Sequence, residues 1–146
     1  MANVVSTQAG ATVPARKQEK GVFTLNLDTV EASAVPQNDI YYIGKLPSGC
    51  TVVGGAVEYD AAGANTEIQV GYYSDVAGTA VDADRLLAAQ AITSAGTTQF
   101  NGGASLSRAN TSGADYYIGI LFSGSGAATG TIRVTAFATA EVTDQT

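Results

Sequence analysis

The chain has no histidine, no tryptophan, one cysteine and three prolines in 146 residues. Without histidine there is no Ser-His-Asp triad, no ordinary general base near neutral pH and no usual zinc ligand. A cupin, a jelly roll whose metal is held largely by histidines, is disfavoured for the same reason. Cys50 has no histidine to activate it, so thiol catalysis is not expected, and a lone cysteine makes no intrachain disulfide. It reads as a small apolar residue at a strand start. Charge is scarce too: charged residues make up 14% of the chain, against roughly 25% in an average domain. Seven Lys and Arg against thirteen Asp and Glu give a net charge of −6, a poor basis for gripping nucleic-acid phosphates. No apolar run reaches the roughly 18 residues of a membrane-spanning helix, and residues 1–20 lack the basic and apolar regions of a signal peptide. The expectation is a chain that is no enzyme, takes no cofactor or metal, and binds neither nucleic acid nor membrane.

Alanine, glycine, serine and threonine fill the space that charge leaves. Such a surface is neutral and short, and it offers little electrostatic or entropic resistance to packing against another protein. The length fits one domain, burying about 70% of the surface its unfolded form exposes. Residues 38–73 organise it, as three strands in a row at 39–46, 51–59 and 66–73, rich in Ile, Val, Tyr and Thr. Pro47-Ser48-Gly49 breaks the first pair and residues 61–65 the second. The near-two period places Val53, Gly55, Val57 and Tyr59 on one face, and Ile68, Val70 and Tyr72 on one face. Gly54-Gly55 signals a bulge or a close approach by another backbone. A ribbon of this kind needs a second sheet against its apolar side.

Residues 1–20 show no strand or helix period. Two readings stay open: a disordered tail, or an extended arm that orders on a neighbouring subunit through Val4, Val5 and Val13, with Arg16, Lys17 and Lys20 at its end. Residues 21–28 alternate as a strand with Phe23, Leu25 and Leu27 to one side. Residues 29–38 form a connection, where Pro36 confines any strand to an edge. Thr79 and Asp82 have capping-box spacing ahead of residues 83–92, which predicts a short helix carrying Leu86, Leu87 and Ile92. Residues 97–100 suit a strand, 101–103 a turn. The almost continuously apolar 116–123 must be central, 124–130 forms a hairpin connection, and 131–140 alternates, Ile132, Val134, Ala136 and Ala138 against Arg133, Thr135, Phe137 and Thr139. Residues 141–146 are a polar tail. Seven or eight short strands with one helix insert predict an all-β fold, an antiparallel β-sandwich of jelly-roll type over 21–140.

Candidate chemistry is thin. Asp75, Asp82 and Asp84 lack the Asp-x-Asp-x-Asp-Gly calcium pattern, and Glu58 with Glu67 would need opposed placement across a cleft to act as a glycosidase pair. Residues 124–130 have the wrong spacing for a phosphate loop and precede a strand. Asn110-Thr111-Ser112 is a glycosylation sequon by pattern alone. Tyrosine is the abundant aromatic, seven in all, and three Tyr-Tyr pairs each point one ring inward and one outward.

The segment DIYYIGKLPSGCTVVGGAVEYDAAGANTEIQVGYYSD, with its Gly-Lys-Leu-Pro-x-Gly turn and later Val-Gly-Tyr-Tyr, resembles small structural proteins of tailed double-stranded DNA bacteriophages. More closely, it is similar to their jelly-roll cement (decoration) proteins. The likeness runs over about 21–137 and is most specific at 40–73. It implies a non-enzymatic virion protein, made in the host bacterial cytoplasm and placed on the outer capsid surface. There it would bridge neighbouring major capsid protein subunits, often as a dimer or trimer of itself. It transfers no binding residue one by one. On physical grounds the expected partner-binding set is the arm (Val4, Val5, Val13, Arg16, Lys17, Lys20) with outward tyrosines Tyr41, Tyr73 and Tyr117. The alternative is a carbohydrate- or receptor-binding sandwich of a tail or fibre, which the absence of tryptophan weakens.

Overall fold

Alternating β-branched or aromatic residues with small polar ones builds strands along much of the described chain. The computed structural model describes residues 2–6, 21–101 and 109–140, and in them ten strands and no helix. They are β1 (Asn3–Val5), β2 (Val22–Thr24), β3 (Val30–Val35), β4 (Ile40–Leu46), β5 (Cys50–Tyr59), β6 (Glu67–Tyr73), β7 (Ala80–Ala91), β8 (Gly96–Gln99), β9 (Tyr116–Phe122) and β10 (Ala128–Ala140). One sheet runs β1-β4-β9-β6-β7, the other β2-β10-β5-β8 with β3 also on β10. All pairings are antiparallel except that of β1 with β4. The two sheets share one core: Ile43, Ile68, Val70, Ile118 and Ile120 from the first meet Val52, Val57, Ile132, Val134 and Ala136 from the second. The β-sandwich and the central place of β9 are as the apolar pattern predicts, and so is the inward row Ile132, Val134, Ala136, Ala138 of β10.

Three expectations are corrected. The strand predicted over 21–28 is confined to β2, because the chain then crosses between sheets: Leu25 N–H donates to Ala136 O at 2.9 Å, and Asp28 N–H donates to Ile43 O at 2.9 Å. The connection predicted over 29–38 contains β3, which lies at the edge to which Pro36 confines it. The third correction is the largest. No helix forms at 83–92, where β7 runs as an edge strand along β6. Ile68, Val70, Tyr72 and Tyr73 are all buried, so the backbone of β6 is shielded from water on both faces and must be paired on both sides. A helix would satisfy only itself. β7 spends twelve residues where β6 spends seven, and the surplus lies mainly between the pairs Val70↔Leu87 and Tyr72↔Asp82. There the chain arches over the outer face of β6 above Gly71, where any Cβ would run into the backbone of Asp82 and Ala83. The same bulging brings Leu86 and Leu87 both to full burial, worth roughly 2 kcal/mol each by transfer.

Asn110 ties the loop before β9 to the β4–β5 turn. It is fully buried; its amide donates to Leu46 O at 2.9 Å and Ala114 O at 2.8 Å, while Oδ1 accepts from Ser112 N–H at 3.0 Å. Its own N–H donates to Cys50 O at 2.8 Å, and its carbonyl accepts from Gly49 N–H at 2.8 Å. Asn110→Ala is expected to lower unfolding stability by about 1–3 kcal/mol, since it leaves buried carbonyls without donors. Urea unfolding within about 0.5 kcal/mol of the parent would contradict this account.

Candidate docking surface

The acidic residues are occupied with one another and with loops. Asp82 pairs with Arg85 at 2.7 Å and accepts from Asp84 N–H at 3.3 Å. Hydrogen bonding to Asp82 holds the Asp84 carboxyl above the usual range. Asp75 is held below it by the Thr79 side chain and by the backbone N–H groups of Ala77 and Thr79, which closes the 74–79 loop. Glu58 and Glu67 stand on different sheets, Glu67 accepting from Ser123 Oγ at 2.7 Å. Among the described residues no three His, Cys, Asp or Glu side chains gather as metal ligands would. The sequon asparagine is Asn110, with its amide nitrogen already spent inside the fold.

Each Tyr-Tyr pair does split between the two faces of the β4–β9 sheet. Tyr41, Tyr72 and Tyr116 turn toward the core, whereas Tyr42, Tyr73 and Tyr117 belong to a second cluster on the outer face. Two of the tyrosines expected outward are therefore corrected. Tyr41 packs edge-on to Phe122, centroids 5.4 Å apart, because it shares the parity of the core residue Ile43. Tyr73 is outward by parity but 1% exposed, under the β7 arch. Tyr117 is half-buried, 5.4 Å from Lys45 Nζ. Among the described residues the buried Tyr73 hydroxyl has no hydrogen-bond partner. Burial pushes Tyr73 up to about 12, helped by Tyr42 beside it. Val4 and Val5 are exposed on β1, and Val13, Arg16, Lys17 and Lys20 lie outside the described residues, as do 102–108 and the tail.

Among the described residues nothing covers the outer face of the β5–β10 sheet, which sequence patterning did not mark as a site. Phe137 pairs with Gly54 and Ala138 with Val52, so Val53 is the extra residue of a bulge. That bulge flips Val53 away from Val57 and out to 49% exposure, correcting the face predicted for it. Beside it are Phe137 at 40% and, across β10, Val22 at 63%. Val53 and Phe137 line a shallow groove of about 470 Å³ together with Gly54, Gly55, Ala56, Phe100 and Thr135. Gly55 admits this arrangement because a Cβ there would strike the Thr135 carbonyl and the Phe100 ring. Toward the other end the face turns polar. Arg133 stands opposite Glu58, with Asp60 and Thr131 bordering a second groove of about 290 Å³. An apolar centre with a charged margin is how protein interfaces are arranged. Two signals announced it: Phe137 on the polar side of its strand, and a Gly-Gly bulge next to a valine.

No protein-family model matches the sequence, and no curated protein matches it. Two solved structures do. A chain in the capsid of Ralstonia phage GP4 is 20% identical, with a TM-score of 0.68 over 97% of this chain and 99% of that one. A chain in the capsid asymmetric unit of cyanophage Pam1 is 23% identical, with a TM-score of 0.62 over 91% and 94%. The fold is thus one also found in phage capsids.

The tyrosine cluster generates a pH test. Folded Tyr73 stays protonated to about 12, from an ordinary 10.0, so between those values the unfolded chain alone loses the proton, and stability falls as pH rises. Tyr73→Phe is expected to be neutral or stabilising at pH 8, because no partner is lost, and to show a smaller loss of stability by pH 11. Equal losses in parent and variant would refute the burial argument.

Proposed function

We propose that the chain is a non-enzymatic structural protein of a phage head. It docks on the outer capsid surface, bridges neighbouring major capsid protein subunits and stabilises the shell, with synthesis in the host cytoplasm. The observation that carries this reading is the end-to-end likeness to two chains from phage capsids. Each likeness covers nearly all of the matched capsid chain, 99% and 94%. We read the sandwich as jelly-roll type, with β4 beside β9 and β6 beside β7 in one sheet.

Physical arguments support the same role. A charge content of 14% leaves a surface that costs little to desolvate, which suits burial against a coat subunit. The uncovered β5–β10 face supplies the apolar centre through Val53 and Phe137, and the Arg133–Glu58 margin sets orientation. Val4 and Val5 of the arm and Tyr117 extend the contact set. Many identical weak contacts repeated by shell symmetry give large avidity.

The test is co-sedimentation with shells that lack this protein. Saturable binding is expected, and Phe137→Asp should weaken it at least tenfold, as a truncated interface anchor does at about 2 kcal/mol. The substituted residue is solvent-facing, so thermal stability should stay close to that of the parent. Glycan binding without any affinity for shells would defeat the proposal.

A further inference from the structure

Glycine inside a strand needs a reason, because it weakens the strand. Elsewhere in the sandwich the reason is a close approach. A Cβ at Gly44 would strike the Asn26 carbonyl, and one at Gly119 would strike the Tyr73 ring. Gly54 in β5 is different. A Cβ there would meet nothing within 4 Å among the described residues, and its φ is not positive. A side chain would fit without strain, so neither packing nor backbone geometry calls for glycine.

The space left above Gly54 has a definite lining. Gly54 pairs with Phe137 across the strands, which puts the gap on the outer face of the sheet. The exposed Val53 and Phe137 stand beside it, and Phe100 lines the same groove. An apolar side chain entering here would release water from apolar walls. The groove is shallow, which suits a side chain presented by a chain segment and not a free small molecule.

Four residues along β5 is Glu58, about 13 Å away at the rise of an extended strand. At that end Glu31, Glu58 and Asp60 set three carboxylates against the guanidinium of Arg133. Asp60 accepts from Thr131 N–H at 3.0 Å and Glu31 from Thr131 Oγ1 at 2.7 Å. Both bonds fix a carboxylate without neutralising it, so this end stays negative and complements a basic group.

We infer that Gly54 is a socket for one apolar side chain of a coat subunit, carried on an extended segment whose basic residue lies against Glu58 and Asp60. The inference rests on the docking reading above and names the chemistry of its partner. Interface anchors are seated in such gaps between large side chains, and the acidic margin fixes which way the segment runs.

The test fills the socket from this side. Gly54→Leu adds a side chain where nothing obstructs it, so its thermal unfolding should match the parent's. In co-sedimentation with shells lacking this protein, it should bind at least about tenfold more weakly, as an overfilled contact does. Binding equal to or tighter than the parent's would overturn the socket and leave the docking reading intact. No binding by the parent would defeat that reading and the inference with it. A second variant takes folding out of the question: Gly54→Cys is labelled with N-ethylmaleimide after folding, while the buried Cys50 is spared. The label should weaken binding by a similar factor, and equal binding with and without it would overturn the socket. Glu58→Lys tests the charge. It should weaken binding about fivefold and flatten its dependence on salt; unchanged or tighter binding would overturn the basic partner.

Discussion

A strand buried on both faces cannot leave either backbone edge unpaired, and β6 is such a strand. Ile68, Val70 and Tyr72 fill the core on one side, and Tyr73 is covered on the other. Its N–H and C=O groups have no water to turn to, so β9 must pair one edge and another strand the other. The chain that follows it is Ala-rich and helix-prone, yet it is drawn into the sheet. Its surplus residues then have nowhere to lie but over the outer face, above Gly71. From this one requirement come the β7 arch, the covered tyrosine cluster and the lopsided exposure of the two sheets.

That chain of causes explains what could and could not be read from sequence. Strands with a clean two-residue period were legible, as in β10, where every second residue from Ile132 to Ala138 is buried. The β4–β5 turn was legible as well, since Pro47-Ser48-Gly49 closes with Cys50 N–H donating to Pro47 O at 3.1 Å. Residues 83–92 were not, because local preference there favours a helix and the competing demand comes from β6, more than ten residues away. Facing failed wherever a bulge intervened: one extra residue at Val53 reverses the parity of everything on one side of it. Tyr73 shows a further limit. Its parity was right, but only the fold says that another strand lies on top.

The docking surface was half legible. Phe137 stood on the polar side of an alternating strand, and a large aromatic there has no reason of its own to face water. Val53 was hidden by the bulge that exposes it. Together they form the apolar part of a face otherwise made of Thr135, Thr139, Ala56 and Thr51, residues with little hydration to lose. The scarcity of charge, 14% of the chain, lowers the cost of burying this face.

The two sheets therefore have different relations to their surroundings. The β4–β9 sheet is closed inward by the core and outward around Ile40, Tyr42 and Tyr73, and its β4 edge is paired by the short strand β1. Among the described residues the β5–β10 sheet is closed inward only, and its outer face carries the exposed Val53 and Phe137. An edge recognises through hydrogen-bond register, demanding and directional, while a face recognises through apolar area and shape, tolerant of small shifts. The pairing of β1 on β4 thus lies on one sheet and the groove at Gly54-Gly55 on the other, so an occupant of the groove would leave that pairing intact.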